Sequence, residues 1–242
     1  MKIKLYGTGS SFAKSFGACA LINDEVLVEC SSGIVKRLRQ DNIDFANIKV
    51  LIISHYHGCH DWEVPFLLGE MAFKPRSRSL TIIAPKGFAK RHGVLCDLIW
   101  QDMFSLDKAK SNMNLTILEL QDNKIFKVNG YEIKSFKMKH RDVDAYGFRV
   151  KKDGKVCGFT GDTRMIENVK NIVRESNISF VEVAYPPAPR NEPMHISVAE
   201  YMQLCKEFSN IPLVPYHMTD ESREALAKLG VAVPNDNDVF VV

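Results

Sequence analysis

The apolar residues in the first quarter of the chain fall in short runs that polar or turn-forming residues interrupt. Runs of this length and spacing are typical of β-strands. They predict strands over residues 3–6, 18–22, 26–29 and 50–54. Residues 23–25, with the sequence Asn-Asp-Glu, separate the second run from the third and predict a hairpin turn.

A different spacing follows the third run, where Ile34, Val35 and Leu38 recur at helical intervals. It predicts a helix over residues 31–40 with Ser31 or Ser32 as the N-cap. The same two patterns continue along the chain. Helical spacing predicts helices around residues 64–71, 164–174, 197–208 and 221–229, with helical or irregular segments up to about residue 111. Strand patterns predict strands over residues 80–84, 115–120, 131–138, 146–150, 156–160, 180–183 and 213–216.

The order of these elements divides the chain into two strand-rich halves, each of which ends in alternating helices and strands. Such an order predicts an α/β fold in which two sheets pack face to face with helices outside. Residues 1–242 contain no linker-like or low-complexity segment. We therefore expect a single domain, residues 1–242.

Composition narrows the class of protein. Hydrophobic residues make up 45% and charged residues 25% of the chain, which excludes a disordered protein. The longest apolar runs, such as residues 50–53, are far shorter than the ~20 residues that span a bilayer. With 32 basic and 29 acidic residues, the net charge of +3 is too small to indicate a protein that coats nucleic acid. No membrane partner is therefore expected.

The six cysteines are scattered without a Cys-x-x-Cys pair, which favours reduced thiols over a disulfide framework. The first residues lack the apolar stretch of a secretory signal and fit a first strand instead. Together these features predict a cytoplasmic protein.

Candidate chemistry is concentrated directly after the fourth predicted strand. Residues 54–61 read SHYHGCHD and place His55, His57 and His60 within six residues, although the chain has only seven histidines. Neutral imidazoles on a tight loop at a strand end can converge on one or two metal ions. A polar loop with incidental histidines is the alternative interpretation.

Further ligands would have to come from later strand ends. His140, Asp162 and His217 each follow a predicted strand. Each also has an ordinary structural interpretation, because strand-end histidines are often surface residues and an aspartate between Gly and Thr often forms a turn or an N-cap. Their repetition at strand ends favours a shared metal site.

These residues resemble the metallo-β-lactamase superfamily, whose pattern is His-x-His-x-Asp-His followed by a later histidine, a bridging aspartate and a final histidine. Within it the chain is most similar to ribonuclease Z and its phosphodiesterase relatives, from about residue 1 to residue 217. The motifs that carry this similarity are GTGS at 7–10, AYGFR at 145–149, FTGDT at 159–163 and EVAY at 182–185. The resemblance implies a four-layer αββα sandwich and a metal-dependent hydrolase, most simply a phosphodiesterase.

The resemblance also implies a role for each candidate residue. His55, His57 and His140 would hold a first metal, His60 and His217 a second, and Asp162 would bridge them. The pair would hold a hydroxide that attacks the substrate phosphorus. His195, in the segment MHISVAE, resembles the histidine that assists the leaving oxygen, although its position before a predicted helix also fits a structural role. Zinc is the expected cofactor, as one or two ions, with manganese, iron or nickel as alternatives.

Cys59 departs from the family pattern because it stands where relatives have the motif aspartate. Asp61 comes two residues later and cannot simply replace it. A thiolate binds zinc at about 2.3 Å but is a poor general base. Three outcomes stay open: Cys59 completes a second zinc site, the second metal is weak or absent, or catalysis is lost while metal binding persists. The last would make the protein a metal-binding, non-catalytic module.

The substrate is less constrained than the metal site. An enzyme that hydrolyses a small thioester, lactone or sulfate ester is an alternative, because the fold positions a hydroxide without dictating its target. Residues 71–96 contain six basic and no acidic residues, which fits either an RNA-binding face or a solvated surface. Ribonuclease Z proteins of the full type carry a long arm that binds tRNA, and the interval between Tyr146 and Val156 is too short for one. A homodimer is implied by the resemblance alone.

Overall fold

The computed structural model describes residues 1–73, 79–185 and 194–242. Thirteen strands among these residues form two sheets. The first sheet has the order β13-β1-β2-β3-β4-β5-β6. Its strands are β1 (Lys2–Gly7), β2 (Cys19–Ile22), β3 (Val26–Val28), β4 (Val50–Ile52), β5 (Leu80–Ala84), β6 (Leu115–Glu119) and β13 (Val239–Val241).

The second sheet has the order β12-β11-β10-β9-β8-β7. Its strands are β7 (Ile125–Val128), β8 (Tyr131–Lys137), β9 (Tyr146–Lys152), β10 (Lys155–Phe159), β11 (Ile178–Glu182) and β12 (Leu213–Tyr216). Short helices connect these strands. They are α1 (Ile34–Gln40), α2 (Gly58–Asp61), α3 (Val64–Ala72), α4 (Phe88–Trp100), α5 (Leu106–Met113), α6 (Glu167–Arg174), α7 (Val198–Glu207) and α8 (Asp220–Lys228).

Apolar clusters separate four layers. The inner faces of the two sheets meet in a cluster that includes Leu5, Phe148 and Phe180. A second cluster joins the outer face of the first sheet to helices α1, α3, α4 and α5, and a third joins the second sheet to α7 and α8. Each sheet is apolar on both faces, because both faces are covered. The predicted two sheets with outer helices are confirmed.

The strand directions bring one end of both sheets together. Strands β3 to β6 run parallel to one another, and β10 to β12 also run parallel. Parallel strands place their carboxyl ends at one edge, where ligand sites of α/β folds form. The candidate residues follow the ends of β4, β8, β10 and β12.

Several sequence predictions need correction. The pattern did not predict two short edge strands, β7 and β13, because three or four residues at a sheet edge give a weak signal. Neither Ser31 nor Ser32 caps α1: its N-cap is Gly33 in the left-handed conformation, φ 85°, and Ser31 Oγ instead donates to the carbonyl of Gly17. Helix α6 begins at Glu167 rather than near residue 164.

The interval between Tyr146 and Val156 is a hairpin. Strands β9 and β10 are antiparallel, and Asp153 and Gly154 form the turn with φ values of 49° and 75°. The short interval therefore holds a tight turn. Among the described residues no helix has both the length and the apolar character that crossing a bilayer requires.

Candidate metal centre

The candidate ligands come from both sheets. His55 and His57 follow β4, and His57 is the N-cap of the single helical turn α2, which carries Cys59 and His60. His140, Asp162 and His217 follow β8, β10 and β12. All of them meet at the edge where the carboxyl ends of the parallel strands lie. The structure thus brings together every predicted metal ligand.

One group of donors consists of His55, His57, His140 and Asp162. One ligand atom of each lies within 4.8 Å of the others. His140 Nε2 is 3.2 Å from His57 Nδ1, and the Nε2 atoms of His55 and His140 are each 3.8 Å from Asp162 Oδ2. This group offers three nitrogens and one oxygen to a cation.

A second group consists of Cys59, His60 and His217, whose ligand atoms also lie within 4.8 Å of one another. His60 Nε2 and His217 Nδ1 are 3.4 Å and 3.3 Å from the same oxygen, Asp162 Oδ1. Two ligands about 2.0–2.1 Å from a tetrahedral ion lie about 3.3–3.4 Å apart, so these separations fit a shared cation. Asp162 therefore directs one carboxylate oxygen at each group.

Unsatisfied polar atoms support the same interpretation. His55 Nε2, both ring nitrogens of His60 and His217, and Asp162 Oδ1 are buried without a hydrogen-bond partner in the described part of the chain. A buried polar group without a partner costs about 1–3 kcal/mol. A cluster of them in one place is explained by a cation that satisfies them together, so the donor set fits a metal.

The outer ring nitrogens of three ligands are engaged. His55 Nδ1 is 3.0 Å from Ser54 Oγ, and His140 Nδ1 is 3.1 Å from the carbonyl of Met194. His60 Nδ1 faces the Glu29 carboxylate, 3.4 Å from Oε1, in an electrostatic contact that lacks hydrogen-bond geometry. Such partners fix the orientation of a metal-binding imidazole.

Backbone geometry places Asp162 and His217. Gly161 has φ 58°, and a Cβ on it would lie 2.5 Å from the carbonyl oxygen of Tyr146, so only glycine fits before Asp162. His217 itself adopts φ 48°, an uncommon conformation for a histidine. Backbone hydrogen bonds on the next residue, Met218, to Thr8 and Ser10 hold it there. Strain of this kind clusters at functional sites.

The charges of the cluster stabilise one another. Burial raises the pKa of Asp162, but the facing imidazoles of His217, His60 and His55 outweigh it and hold that pKa well below its ordinary value. Burial also raises the pKa of the half-buried Cys59 thiol, yet His60 and His217 lower it to about 5. The site therefore favours a carboxylate and a thiolate, the forms that bind cations.

His195 lies beside this cluster. Its Nδ1 is 3.0 Å from Glu182 Oε1 and 3.8 Å from Asp162 Oδ2. Burial lowers the pKa of His195, but Glu182 and Asp162 raise it to about 9. Because Glu182 engages Nδ1, the other nitrogen, Nε2, is the one that can serve a substrate. His195 also lines the cleft described next.

An open cleft of about 360 Å³ leads to both donor groups. Phe12 stands at its rim with its side chain 99% exposed. The cleft lining is otherwise mostly polar. It includes Ser10, Ser11, His57, Cys59, His140, Arg141, Asp162, Tyr185, His195, His217 and Thr219.

Asp61 takes no part in either group. Its buried carboxylate accepts from Arg91 Nε at 2.6 Å and Nη2 at 3.1 Å, and His92 Nε2 is 3.4 Å from Oδ2. Asp61 thus anchors the end of α2 to α4, and it does not replace the missing motif aspartate. The same contact gives His92 a structural role. It is the one histidine to which the sequence pattern assigned no role.

Two acidic residues that support the centre were missed as functional residues. Glu29 holds His60 and accepts from the backbone N–H of Ser54 at 3.2–3.3 Å. Glu182 holds His195 and accepts from the N–H of Thr163 at 2.9 Å. Each is a carboxylate at the end of a fully buried strand, and that is the signal that would have identified them.

The basic stretch is only partly described. Lys74, Arg76 and Arg78 lie outside the described residues. Of its other members, Lys86 and Lys90 are exposed, whereas Arg91 is paired with Asp61.

Comparison with known proteins agrees with this geometry. The family model described as "Anti-Pycsar protein Apyc1" matches residues 1–232. Ribonuclease Z from Picrophilus torridus is 30% identical over 155 residues, which cover 62% of this chain and 47% of that protein. The chain thus spans about half the length of the curated relatives it matches.

Solved structures show the fold. The metallo-β-lactamase fold protein YhfI from Bacillus subtilis superposes with a TM-score of 0.76 at 17% identity, and the alignment covers 99% of both chains. The short form of human tRNase Z superposes with a TM-score of 0.75 at 18% identity, over 100% of this chain and 99% of that one. The expected four-layer αββα sandwich is confirmed. The chain therefore has the metallo-β-lactamase fold and belongs to the family described as Anti-Pycsar protein Apyc1.

Proposed function

We propose that the protein is a metal-dependent hydrolase of phosphodiesters, acting from a single domain of residues 1–242. One observation carries the proposal: two donor groups face each other across Asp162, with His195 beside them in an open cleft. The name of the curated relatives, ribonuclease Z, supports a phosphodiester as the substrate class.

Each residue has a role in this proposal. His55, His57, His140 and Asp162 hold one cation, and Cys59, His60, His217 and Asp162 hold the other, with zinc as the expected ion. Bound cations would supply water of lowered pKa and positive charge for the phosphoryl oxygens. Asp162 would contribute one carboxylate oxygen to each position.

His195 carries the proton in this scheme. Glu182 orients the ring through Nδ1 and stabilises its protonated form. The protonated Nε2 would donate its proton to the leaving oxygen as the ester bond breaks. His195→Gln is expected to keep the metal content of the wild type and to lower kcat by about 10²–10⁴-fold.

The function is tested with bis(p-nitrophenyl) phosphate, whose hydrolysis releases a coloured phenolate. We expect the wild type to cleave it and a His55→Ala/His57→Ala double variant to lose both activity and about one cation per chain. His92→Gln is the matched control, because His92 belongs to neither donor group and does not line the cleft. Full activity in the double variant would refute the mechanism. Faster cleavage of a thiophenyl ester than of the phosphodiester would favour the thioester alternative.

The place and partners of the protein are also proposals. All six cysteines are free thiols, which is the form expected in the reducing cytoplasm. RNA as a substrate and a homodimer remain predictions from the resemblance. The side chains of Phe73, Leu98 and Met103 in the first helical layer are exposed and form a candidate dimer surface. Sedimentation of variants at these positions would test the dimer.

A further inference from the structure

The two donor groups beside Asp162 differ in their chemistry. The first offers imidazole nitrogens and a carboxylate oxygen, whereas the second replaces one such donor by the sulfur of Cys59. Sulfur is a soft ligand that favours zinc or cobalt, and magnesium and manganese prefer oxygen. The two positions should therefore select different cations.

The geometry around Cys59 supports a role as ligand. His60 and His217 are 1% and 3% exposed, and their ring nitrogens have no hydrogen-bond partner among the described residues. These nitrogens and the Cys59 sulfur lie within 4.8 Å of one another. Asp162 Oδ1, also buried and unsatisfied, is 3.3–3.4 Å from both rings. Together with the Cys59 sulfur, these groups supply as many donors as a tetrahedral zinc site requires.

The local backbone explains how Cys59 reaches that space. His57 is the N-cap of α2, and Gly58 begins its single turn, so Cys59 and His60 are consecutive residues on that turn. Asp61 is held away by Arg91 and leaves the position to Cys59. The side chain of Cys59 lines the open cleft, so a cation can reach it from solvent.

We propose that the Cys59 thiolate is a ligand of the second cation and makes that position selective for thiophilic ions, so that zinc or cobalt fills both positions whereas manganese fills only the first. A sulfur–metal bond forms, and the thiol proton leaves to solvent. The inference rests on the ligand assignment of the proposed function and specifies it further. It does not depend on which ester the protein hydrolyses.

Cobalt(II) binding to the metal-free, reduced protein tests the proposal without any substrate. A cobalt–thiolate bond gives an intense near-ultraviolet charge-transfer band. We expect this band in the wild type and its absence in Cys59→Ser. Cys205→Ser is the matched control, because Cys59 and Cys205 are the two cysteines that are not buried. The control should keep the full band.

Metal content after dialysis against each ion tests the selectivity. The wild type should hold about two zinc ions or about one manganese ion per chain, and Cys59→Asp should hold about two manganese ions. A cobalt band of equal intensity in Cys59→Ser, or two manganese ions in the wild type, would overturn the inference. If Cys59→Ser fails to fold by circular dichroism, Cys59→Asp carries the same spectroscopic test.

The outcomes separate the inference from the proposed function. One outcome is a protein that shows the expected cobalt band and the expected metal selectivity but cleaves no phosphodiester. That result supports the inference and refutes the proposed function. An active phosphodiesterase whose cobalt band does not depend on Cys59 does the reverse.

Discussion

Asp61→Asn removes a buried charge one residue away from the metal cluster and should cost stability without costing metal. The Asp61 carboxylate is fully buried and accepts two hydrogen bonds from Arg91. Removing one partner of a buried ion pair costs about 3–5 kcal/mol. The Arg91 side chain is 34% exposed, so its guanidinium can turn to water, and we expect the lower figure of about 2–3 kcal/mol.

The assay is urea unfolding in excess chelator, which removes the contribution of bound cations. Tryptophan fluorescence reports it well, because Trp62 directly follows α2 and Trp100 ends α4. The same loss should lower Tm by about 5–10 °C. Asp107→Asn is the control: Asp107 pairs with Lys110 at the surface, and its loss should change the free energy of unfolding by less than about 0.5 kcal/mol.

The pH dependence follows from the sign of the shift. Burial raises the pKa of Asp61, but His92 and Arg91 outweigh it and hold it below the ordinary value. The contribution of the Asp61 carboxylate to the free energy of unfolding is therefore present above about pH 4, where this aspartate is ionised in the unfolded chain. It is lost as the pH falls through the pKa of Asp61 in the folded protein. An Asp61→Asn variant that unfolds like the wild type but lacks one cation per chain would refute the reasoning, because Asp61 would then be a ligand.

Three further predictions concern other parts of the molecule. Burial raises the pKa of Glu25, but Lys152 and its neighbours outweigh burial and lower it to about 2. The free energy of unfolding lost in Glu25→Gln should therefore be measurable at pH 7 by urea unfolding and should vanish as the pH falls from about 4.5 towards 2. A loss that persists at pH 2 contradicts this ionic role. Phe12→Ala should raise KM for an aryl phosphodiester about tenfold with kcat unchanged, because an exposed ring at the rim can stack on the substrate; a fall in kcat alone argues against it. Gly161→Ala should reduce bound metal measured by elemental analysis, whereas Gly154→Ala, also at positive φ but in open space, should not; equal metal in both variants would show that Asp162 tolerates the shift.

Much of the centre could be predicted from the sequence because its ligands are local signals. His55, His57 and His60 share one loop, and His140 and His217 each follow a recognisable strand. The strand ends meet because parallel strands align their carboxyl ends, which is a property of the topology. The pattern of strands and helices was enough to predict the two sheets and the outer helices.

The contacts that orient these ligands could not be predicted in the same way. Glu29 contacts His60, which is 31 residues away, and Glu182 contacts His195, which is 13 residues away. No spacing rule connects these pairs. The orientation of the Asp61 side chain depends on its ion pair with Arg91, which lies on another helix. The edge strand β13 gains its identity only by pairing with β1, at the opposite end of the chain.

This pairing of β13 with β1 has a consequence for how the protein is made. Strand β13 is synthesised long after β1, the strand beside which it lies, and the donors at positions 55–60 emerge long before His217. At about 5–20 residues per second, the nascent chain presents the thiol of Cys59 for roughly 10–30 s before His217 has been made. On the proposed ligand assignment the second position cannot be filled until then, and the thiol must stay reduced through that interval.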